Sequence, residues 1–157
     1  MSLRSSDMGG EGSGRLVSGR LDTLRPMLAF SNIAFAEMIG HAYDGYPLEA
    51  CGLLVGRGDH IDRFVACTNQ AASARIYAIP PKELLLAERA AEDDGLEILG
   101  VFHSHTHSEP YPSPTDVEQA PDPGWHYVIV SLKRDAPETR SYRIRDGAIS
   151  EERVAVG

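Results

Sequence analysis

The sequence predicts an α/β fold in which helices pack against the faces of a mixed β-sheet. Hydrophobic residues make up 42% of the 157 residues, which suits one folded domain with a single core. Stretches with helical periodicity are interspersed with short apolar stretches typical of buried strands. The resulting order is helix, hairpin, helix, strand, short helix and three strands. This order differs from both a repeated βαβ chain and a β-sandwich.

The N-terminal segment, residues 1–26, is predicted to be disordered, and residues 27–157 are predicted to form the domain. Ten of the first twenty residues are Gly or Ser. Such a segment buries too little apolar surface to offset the entropy lost when it becomes ordered. Beyond it, the sequence shows no internal repeat and no second domain boundary.

The first predicted elements of the domain are a short strand and an amphipathic helix. The strand covers Met27–Phe30, and Ser31 is a good N-cap for the helix that follows. The helix is expected to stop at residues 44–47, where Asp, Gly, Tyr and Pro occur together. Its core-facing side is predicted to contain Ile33, Phe35, Met38 and Ile39.

A β-hairpin is predicted next, with strands at 48–56 and 60–67 and a turn at 57–59. Cys51 and Cys67 lie at equal distances from this turn, so we expect them to be cross-strand neighbours. In a reducing compartment they would be two buried free thiols, and a disulfide between them is the alternative.

The second half of the chain is predicted to contain two helices and four strands after an extended piece at residues 75–79. Two prolines open a helix over residues 82–94, which ends at Gly95. A strand at 97–102 leads into His103, and a short helix begins at Ser113. Strands follow at 126–131, 140–145 and 148–156. The buried side of the longer helix is predicted to contain Leu84, Leu85, Ala87, Ala90 and Ala91.

The overall charge, the apolar stretches and the cysteine usage disfavour several classes of protein. The net charge is −8, and an acidic domain repels phosphate backbones, so nucleic-acid binding is disfavoured. No apolar stretch is long enough to span a membrane, and none has the character of a secretory signal. The two cysteines form no CxxC motif, which disfavours a cysteine zinc site. The expected compartment is the cytoplasm, and the sequence leaves the oligomeric state open.

Residues 103–116 contain the strongest functional signal, which is a set of three possible metal ligands. Alternate side chains of a strand share a face, so His103 and His105 present both imidazoles to one point. Ser113 followed by proline indicates a helix start, which places Asp116 in the first turn. Two histidines and one aspartate leave a fourth position open, as in a catalytic zinc site. The alternatives are a chance HxH pair and a simple capping box formed by the serine and the aspartate.

A hydrolytic metal site also needs a proton carrier, and Glu49 is the candidate. It stands at the start of an apolar strand, where an unpaired charge is costly. The alternative is an ordinary exposed glutamate at a strand edge. Ser113 could also donate its hydroxyl to the oxyanion of a tetrahedral intermediate. His107 is either a solvent-facing loop residue or a contact for substrate or metal.

These residues resemble the motif of the JAMM (MPN+, Mov34/PAD-1) metalloprotease family. The match comprises Glu49, His103-x-His105, seven residues, Ser113, two residues and Asp116, and Pro-x-Glu-Ala-Cys-Gly-Leu-Leu-Val-Gly surrounds the glutamate as expected in the family. The compact chain is similar to the small prokaryotic branch that frees cysteine from sulfur-carrier proteins. The resemblance implies a cytidine-deaminase-like fold with a mixed, curved sheet.

The same resemblance implies an activity and a role for each residue of the motif. The activity would be zinc-dependent cleavage at the C-terminal Gly-Gly of a ubiquitin-like or sulfur-carrier protein. His103, His105 and Asp116 would bind one zinc ion, Glu49 would act as acid and base, and Ser113 would support the oxyanion. Histidine and aspartate also accept iron or manganese.

One departure and two other classes of function accompany this resemblance. Only about ten residues separate Asp116 from the next strand, so the insertion that shapes ubiquitin recognition in eukaryotic relatives is absent. A non-catalytic MPN-type binding module for a ubiquitin-like partner is the alternative, although such modules usually lack the ligands. A DNA-repair relative would have Asn-His-Pro-Ser-Gly where residues 104–108 read Ser-His-Thr-His-Ser.

Overall fold

The structure is a computed structural model, and it describes residues 26–157. The N-terminal segment predicted to be disordered, residues 1–26, lies outside the described residues except for Pro26. The strands are β1 (Met27–Phe30), β2 (Cys51–Arg57), β3 (His60–Cys67), β4 (Glu97–His105), β5 (His126–Ser131), β6 (Glu138–Arg145) and β7 (Ala148–Val156). The helices are α1 (Asn32–Gly45), α2 (Pro81–Asp93) and α3 (Pro114–Glu118).

The seven strands form one mixed sheet that closes on itself in the order β1-β3-β2-β4-β5-β6-β7. It closes because β1 pairs in parallel with both β3 and β7. Strands β4 and β5 are also parallel, and the remaining neighbours are antiparallel. The predicted α/β architecture with a mixed sheet is therefore confirmed. Within this order β4, which carries the two candidate histidine ligands, is paired on both sides.

Helix α1 begins and ends where the sequence predicted, but its buried side is different. Ser31 is the N-cap, and its side chain accepts a hydrogen bond from Ala34 N at 3.1 Å. The fully buried positions are Ala34, Met38 and Ala42, four residues apart. Ile33 is 74% exposed, so the prediction that it faces the core is wrong. Small alanines let the helix approach the sheet, and this sets the rotation of the helix about its axis.

The hairpin formed by β2 and β3 confirms the predicted register. Cys51 and Cys67 are cross-strand partners, and both are buried free thiols. Strand β2 begins three residues later than predicted, because residues 48–50 do not pair with β3 and form other hydrogen bonds. Glu49 N donates to Ser73 O at 2.8 Å, and Ala50 N donates to Ser104 Oγ at 2.8 Å. These bonds tie the start of β2 to a loop and to β4.

Helix α2 is close to its predicted position, and its buried residues are Ala87 and Ala91. Leu85 is 45% exposed and Ala90 is also exposed, so both were wrongly predicted to face the core. Residues 75–79, predicted as an extended piece, lie in a loop outside the sheet. Asn69 holds this loop, because its side chain donates to Ile76 O at 3.0 Å and accepts from Ala78 N at 3.0 Å.

The main core lies between α1 and the sheet, and it supports β4 and β5 from one side. Buried residues of this core include Leu28, Phe30, Leu54, Ile61, Phe102, Val128 and Val130.

No helix among residues 26–157 is long and apolar enough to cross a membrane.

Candidate metal centre

The two candidate histidine ligands lie at the end of β4 and face the same point. His103 is 1% exposed and His105 is 4% exposed. Strand β4 is three residues longer than predicted, so both imidazoles are held by the sheet itself. Alternation along the strand places them on one face, and their Nε2 atoms lie 3.0 Å apart.

Asp116 reaches the same point from the first turn of α3. Its Oδ2 lies 3.1 Å from the Nε2 atom of His103 and 3.2 Å from that of His105. Ser113 caps this helix in a capping box, in which Ser113 N donates to Asp116 Oδ2 at 2.8 Å. The capping box and the convergent ligand set are therefore two properties of the same residues, and the box fixes the aspartate in place.

Burial and hydrogen bonds act differently on the protonation of the three side chains. Burial raises the pKa of Asp116, but its hydrogen bonds to both histidines outweigh this and hold the pKa well below its usual range. Burial lowers the pKa of His103, which favours the neutral imidazole. Burial lowers the pKa of His105, but its hydrogen bonds to Asp116 and to the carbonyl of Glu109 outweigh this and raise the pKa. His105 Nδ1 lies 2.7 Å from Glu109 O and donates to it, so the lone pair of Nε2 faces the cluster when the ring is neutral.

A divalent metal ion fits this arrangement of donor atoms. One atom of each of the three side chains lies within 4.8 Å of the others, and all three residues are buried. Two imidazole nitrogens and one carboxylate oxygen are ligands that zinc accepts. The lone pairs of two neutral imidazoles repel each other when their Nε2 atoms are this close, unless a proton or a cation lies between them. The donor set therefore suits zinc, with a position left for a further ligand.

Glu49 lies beside this cluster in a cavity of about 550 Å³. It is only 4% exposed, so the alternative of an exposed strand-edge glutamate is wrong. Its Oε1 is buried without a hydrogen-bond partner among the described residues. Burial raises the pKa of Glu49 to about 7, with His105 lowering it and Asp116 raising it further. A buried carboxyl group with this pKa is suited to proton transfer near neutral pH.

Comparison with known proteins identifies the family of this domain. Residues 31–145 match the family described as prokaryotic homologs of the JAB domain. The chain belongs to the JAMM/MPN family. It is a JAMM-type peptidase, and the fold and the ligand cluster described above are those of its JAMM domain.

Two relatives and one solved structure show how far this similarity extends. The JAMM domain is similar to the CysO-cysteine peptidase of Mycobacterium tuberculosis, with 43% identity over 76% of this chain and 84% of that protein. It is also similar to the desampylase of Haloferax volcanii, with 38% identity over 60% of this chain and 73% of that protein. A JAB1/MPN domain protein from Archaeoglobus fulgidus has the same fold, with 21% identity, a TM-score of 0.55, and coverage of 82% of this chain and 99% of that one.

Two other residues predicted from the sequence line the cavity of the JAMM domain but are not part of the ligand cluster. Ser113 lies on the cavity wall, and its Oγ accepts from Asp116 N at 3.1 Å, which leaves the hydroxyl proton free to donate. His107 also lines the cavity. Its ring nitrogens lie 2.9 Å from Thr106 Oγ1 and 3.3 Å from Tyr46 OH.

Sequence reasoning missed Tyr77, whose ring stacks on the imidazole of His103. The ring centroids are 4.3 Å apart and the planes differ by 17°. His103 Nδ1 is buried without a hydrogen-bond partner among residues 26–157, so the stacked ring is what holds this imidazole from the side. Tyr77 lies in the loop held by Asn69, and its position carries no periodic signal that the sequence could reveal.

Proposed function

We propose that this JAMM domain is a zinc-dependent peptidase that cleaves after the C-terminal Gly-Gly of a ubiquitin-like or sulfur-carrier protein and releases cysteine. The observation that carries the proposal is the convergence of three buried candidate metal ligands next to a cavity that Glu49 and His105 line. A pair of histidines alone, or a buried glutamate alone, would support no particular reaction.

One zinc ion per chain would be held by His103, His105 and Asp116. When bound, zinc polarises the scissile carbonyl group and lowers the pKa of a coordinated water molecule. The sheet fixes both histidines, and the capping box fixes the aspartate. The ligands therefore need little rearrangement to hold the ion.

Glu49 and Ser113 supply the proton transfer and the hydrogen bond of the reaction. Glu49 takes a proton from the attacking water and delivers it to the leaving amine, so the carrier gains the hydroxyl group and the released amine gains the proton. Its raised pKa of about 7 suits both halves of this transfer. The hydroxyl of Ser113 donates to the oxyanion that develops on the carbonyl oxygen.

The surroundings of the cavity suit an extended protein tail. Three exposed apolar side chains belong to residues that adjoin a cavity residue in the chain or contact one. They provide apolar contacts for the residues before the glycines, and glycine itself lets a backbone approach the buried ligands closely. The names of the relatives, CysO-cysteine peptidase and desampylase, support a carrier-type substrate. The apolar residues are Tyr46, Leu48 and Ile76.

The decisive experiment is mass spectrometry of carrier–cysteine adducts before and after incubation with the zinc-loaded protein. The wild type should release cysteine, and Glu49→Gln should lower the rate by about 10²–10⁴-fold while zinc still binds. Glu88→Gln, an exposed change on α2, is the matched control and should retain the wild-type rate. Stoichiometric zinc without turnover of any carrier adduct would favour the non-catalytic binding module, and failure to bind zinc would reject the metal site.

We also infer that residues 27–157 form a single domain of the cytidine-deaminase-like class with a curved sheet. The pairing of β1 with β7 supports one domain, since it joins the two ends of this range. The free thiols of Cys51 and Cys67 are compatible with the predicted cytoplasmic location.

A further inference from the structure

The cavity beside the ligand cluster contains one permanently charged cation, Arg75. Its wall also includes two neutral serines, an alanine, two histidines and the acid Glu49. Arginine keeps its positive charge at every physiological pH. The two histidines of the wall are already in contact with other side chains. His105 belongs to the ligand cluster, and both ring nitrogens of His107 lie close to side-chain oxygens.

The guanidinium group of Arg75 has no ion pair and no hydrogen bond within residues 26–157. Several other surface arginines of the domain are engaged: Arg63 pairs with Asp94 at 2.9 Å, and Arg134 pairs with Glu109 at 2.6 Å. In a chain with a net charge of −8, carboxylates are abundant, yet none in the part of the chain that the structure describes forms an ion pair with this arginine. Its five donors are therefore available to a ligand in the cavity.

The backbone that carries Arg75 is held in place, so the side chain extends from a fixed point. Ser73 Oγ accepts from Arg75 N at 3.0 Å and from Ile76 N at 3.2 Å. Ser73 O accepts from Glu49 N at 2.8 Å. One short loop thus links the free cation directly to the residue that carries the proton.

We propose that Arg75 binds the free α-carboxylate of the leaving amino acid and selects carriers that end in a single amino acid over carriers joined to a protein lysine. This inference rests on the proposed function. In a carrier that ends in Gly-Gly-Cys, one carbon atom separates the scissile nitrogen from the carboxylate. When the nitrogen of the leaving cysteine accepts the proton from Glu49, the carboxylate of that cysteine therefore lies in the same cavity.

An isopeptide conjugate offers no carboxylate at this position. Its leaving nitrogen is the Nζ of lysine, and a four-carbon chain separates it from the backbone of the attached protein. Glu49 and Asp116 would repel a free carboxylate, so an α-linked amino acid needs a cation nearby. The planar fork of arginine matches a carboxylate with two parallel hydrogen bonds.

The experiment compares three substrates made from one carrier protein. The first ends in Gly-Gly-Cys with a free carboxylate, the second ends in the corresponding cysteine amide, and the third carries a lysine isopeptide at its last glycine. The zinc-loaded wild type should cleave the acid with about tenfold higher kcat/KM than the amide, because a charged hydrogen bond is lost with the amide. The isopeptide should be cleaved no faster than the amide.

Variants of Arg75 separate carboxylate recognition from a general loss of structure. Arg75→Gln should lower the rate for the acid to the rate for the amide while leaving the amide rate unchanged, and Arg75→Lys should restore part of the preference. Arg89→Gln is the matched control, because Arg89 is exposed on α2 and does not line this cavity.

Each outcome of this experiment bears on a different claim. Equal rates for acid and amide in the wild type, or a preference that survives Arg75→Gln, would overturn the role of Arg75 alone. Preferential cleavage of the isopeptide would also overturn it. If the zinc-loaded wild type cleaves none of the three substrates, the proposed function itself fails, and the inference that rests on it fails too.

Discussion

Glu152 belongs to a second buried histidine–carboxylate pair, and Glu152→Gln tests whether that pair stabilises the fold. Its side chain is buried, and its Oε2 lies 2.5 Å from His126 Nδ1. Ser141 Oγ donates to the same oxygen at 2.7 Å. These three residues lie on β5, β6 and β7, so the carboxylate joins three neighbouring strands. None of them belongs to the ligand cluster.

The expected loss of stability follows from the number and burial of these contacts. A hydrogen bond to a charged group contributes about 1.5–3 kcal/mol, and glutamine retains the size of the side chain but loses the charge. We expect Glu152→Gln to cost about 2 kcal/mol, which is roughly 4–8 °C in Tm for a domain of this size. The neighbouring Glu151 pairs with Arg140, and both are nearly half exposed, so Glu151→Gln should cost less than about 1 kcal/mol.

The contribution of Glu152 should also depend on pH in a defined direction. Burial raises the pKa of Glu152, but hydrogen bonds from His126 and Ser141 outweigh this, so the pKa in the folded protein is below its ordinary value of 4.5. A carboxyl group with a lowered pKa stabilises the fold above that ordinary value and loses this effect as the pH falls through the folded-state pKa. The difference between wild type and Glu152→Gln should therefore shrink in acid.

Thermal and urea denaturation of the wild type and the two variants, repeated at neutral and acidic pH, measure these differences. Zinc affinity, measured on the same samples, should be unchanged. Equal losses for the two variants would refute the reasoning, because burial would then have no influence on the energy of the pair. A loss of zinc binding in Glu152→Gln would show that the pair supports the metal site after all.

Three further predictions follow from particular contacts. Gly100→Ala should lower Tm by several degrees, since its Cβ would overlap a backbone carbonyl of β5, while Gly40→Ala, where the space is open, should raise it slightly. Ser113→Ala should lower kcat about 10²-fold and remove an N-cap worth about 1 kcal/mol. Ser31→Ala should remove a cap and the hydrogen bond to Asp62 O but leave kcat unchanged, as denaturation and carrier-cleavage assays would show. Tyr77→Leu should weaken zinc binding about tenfold in a competition assay with a chelating dye, because the stacked histidine loses its lateral support.

Local sequence patterns predicted the strands better than the buried sides of the helices. The bounds of β5 and β7 are those predicted, and the register of Cys51 and Cys67 is confirmed. The predicted burial of Ile33 and Leu85 was wrong, because each helix packs its small alanines against the sheet instead. Which side of a helix approaches a sheet depends on the fit between two surfaces, and a single helix contains half of that information.

The sequence alone determined the three ligand types, their spacing and the local structure that presents them. The alternation of side chains along β4 and the helix start marked by the proline after Ser113 depend only on local sequence, so both can be predicted without knowing the fold. Tertiary structure decided that one oxygen of Asp116 meets both Nε2 atoms, that Glu49 is buried beside them, and that Tyr77 covers an imidazole. These contacts join separate elements: the pairing of β4 with β2 brings Glu49 beside the histidines, and the loop held by Asn69 brings Tyr77 onto His103.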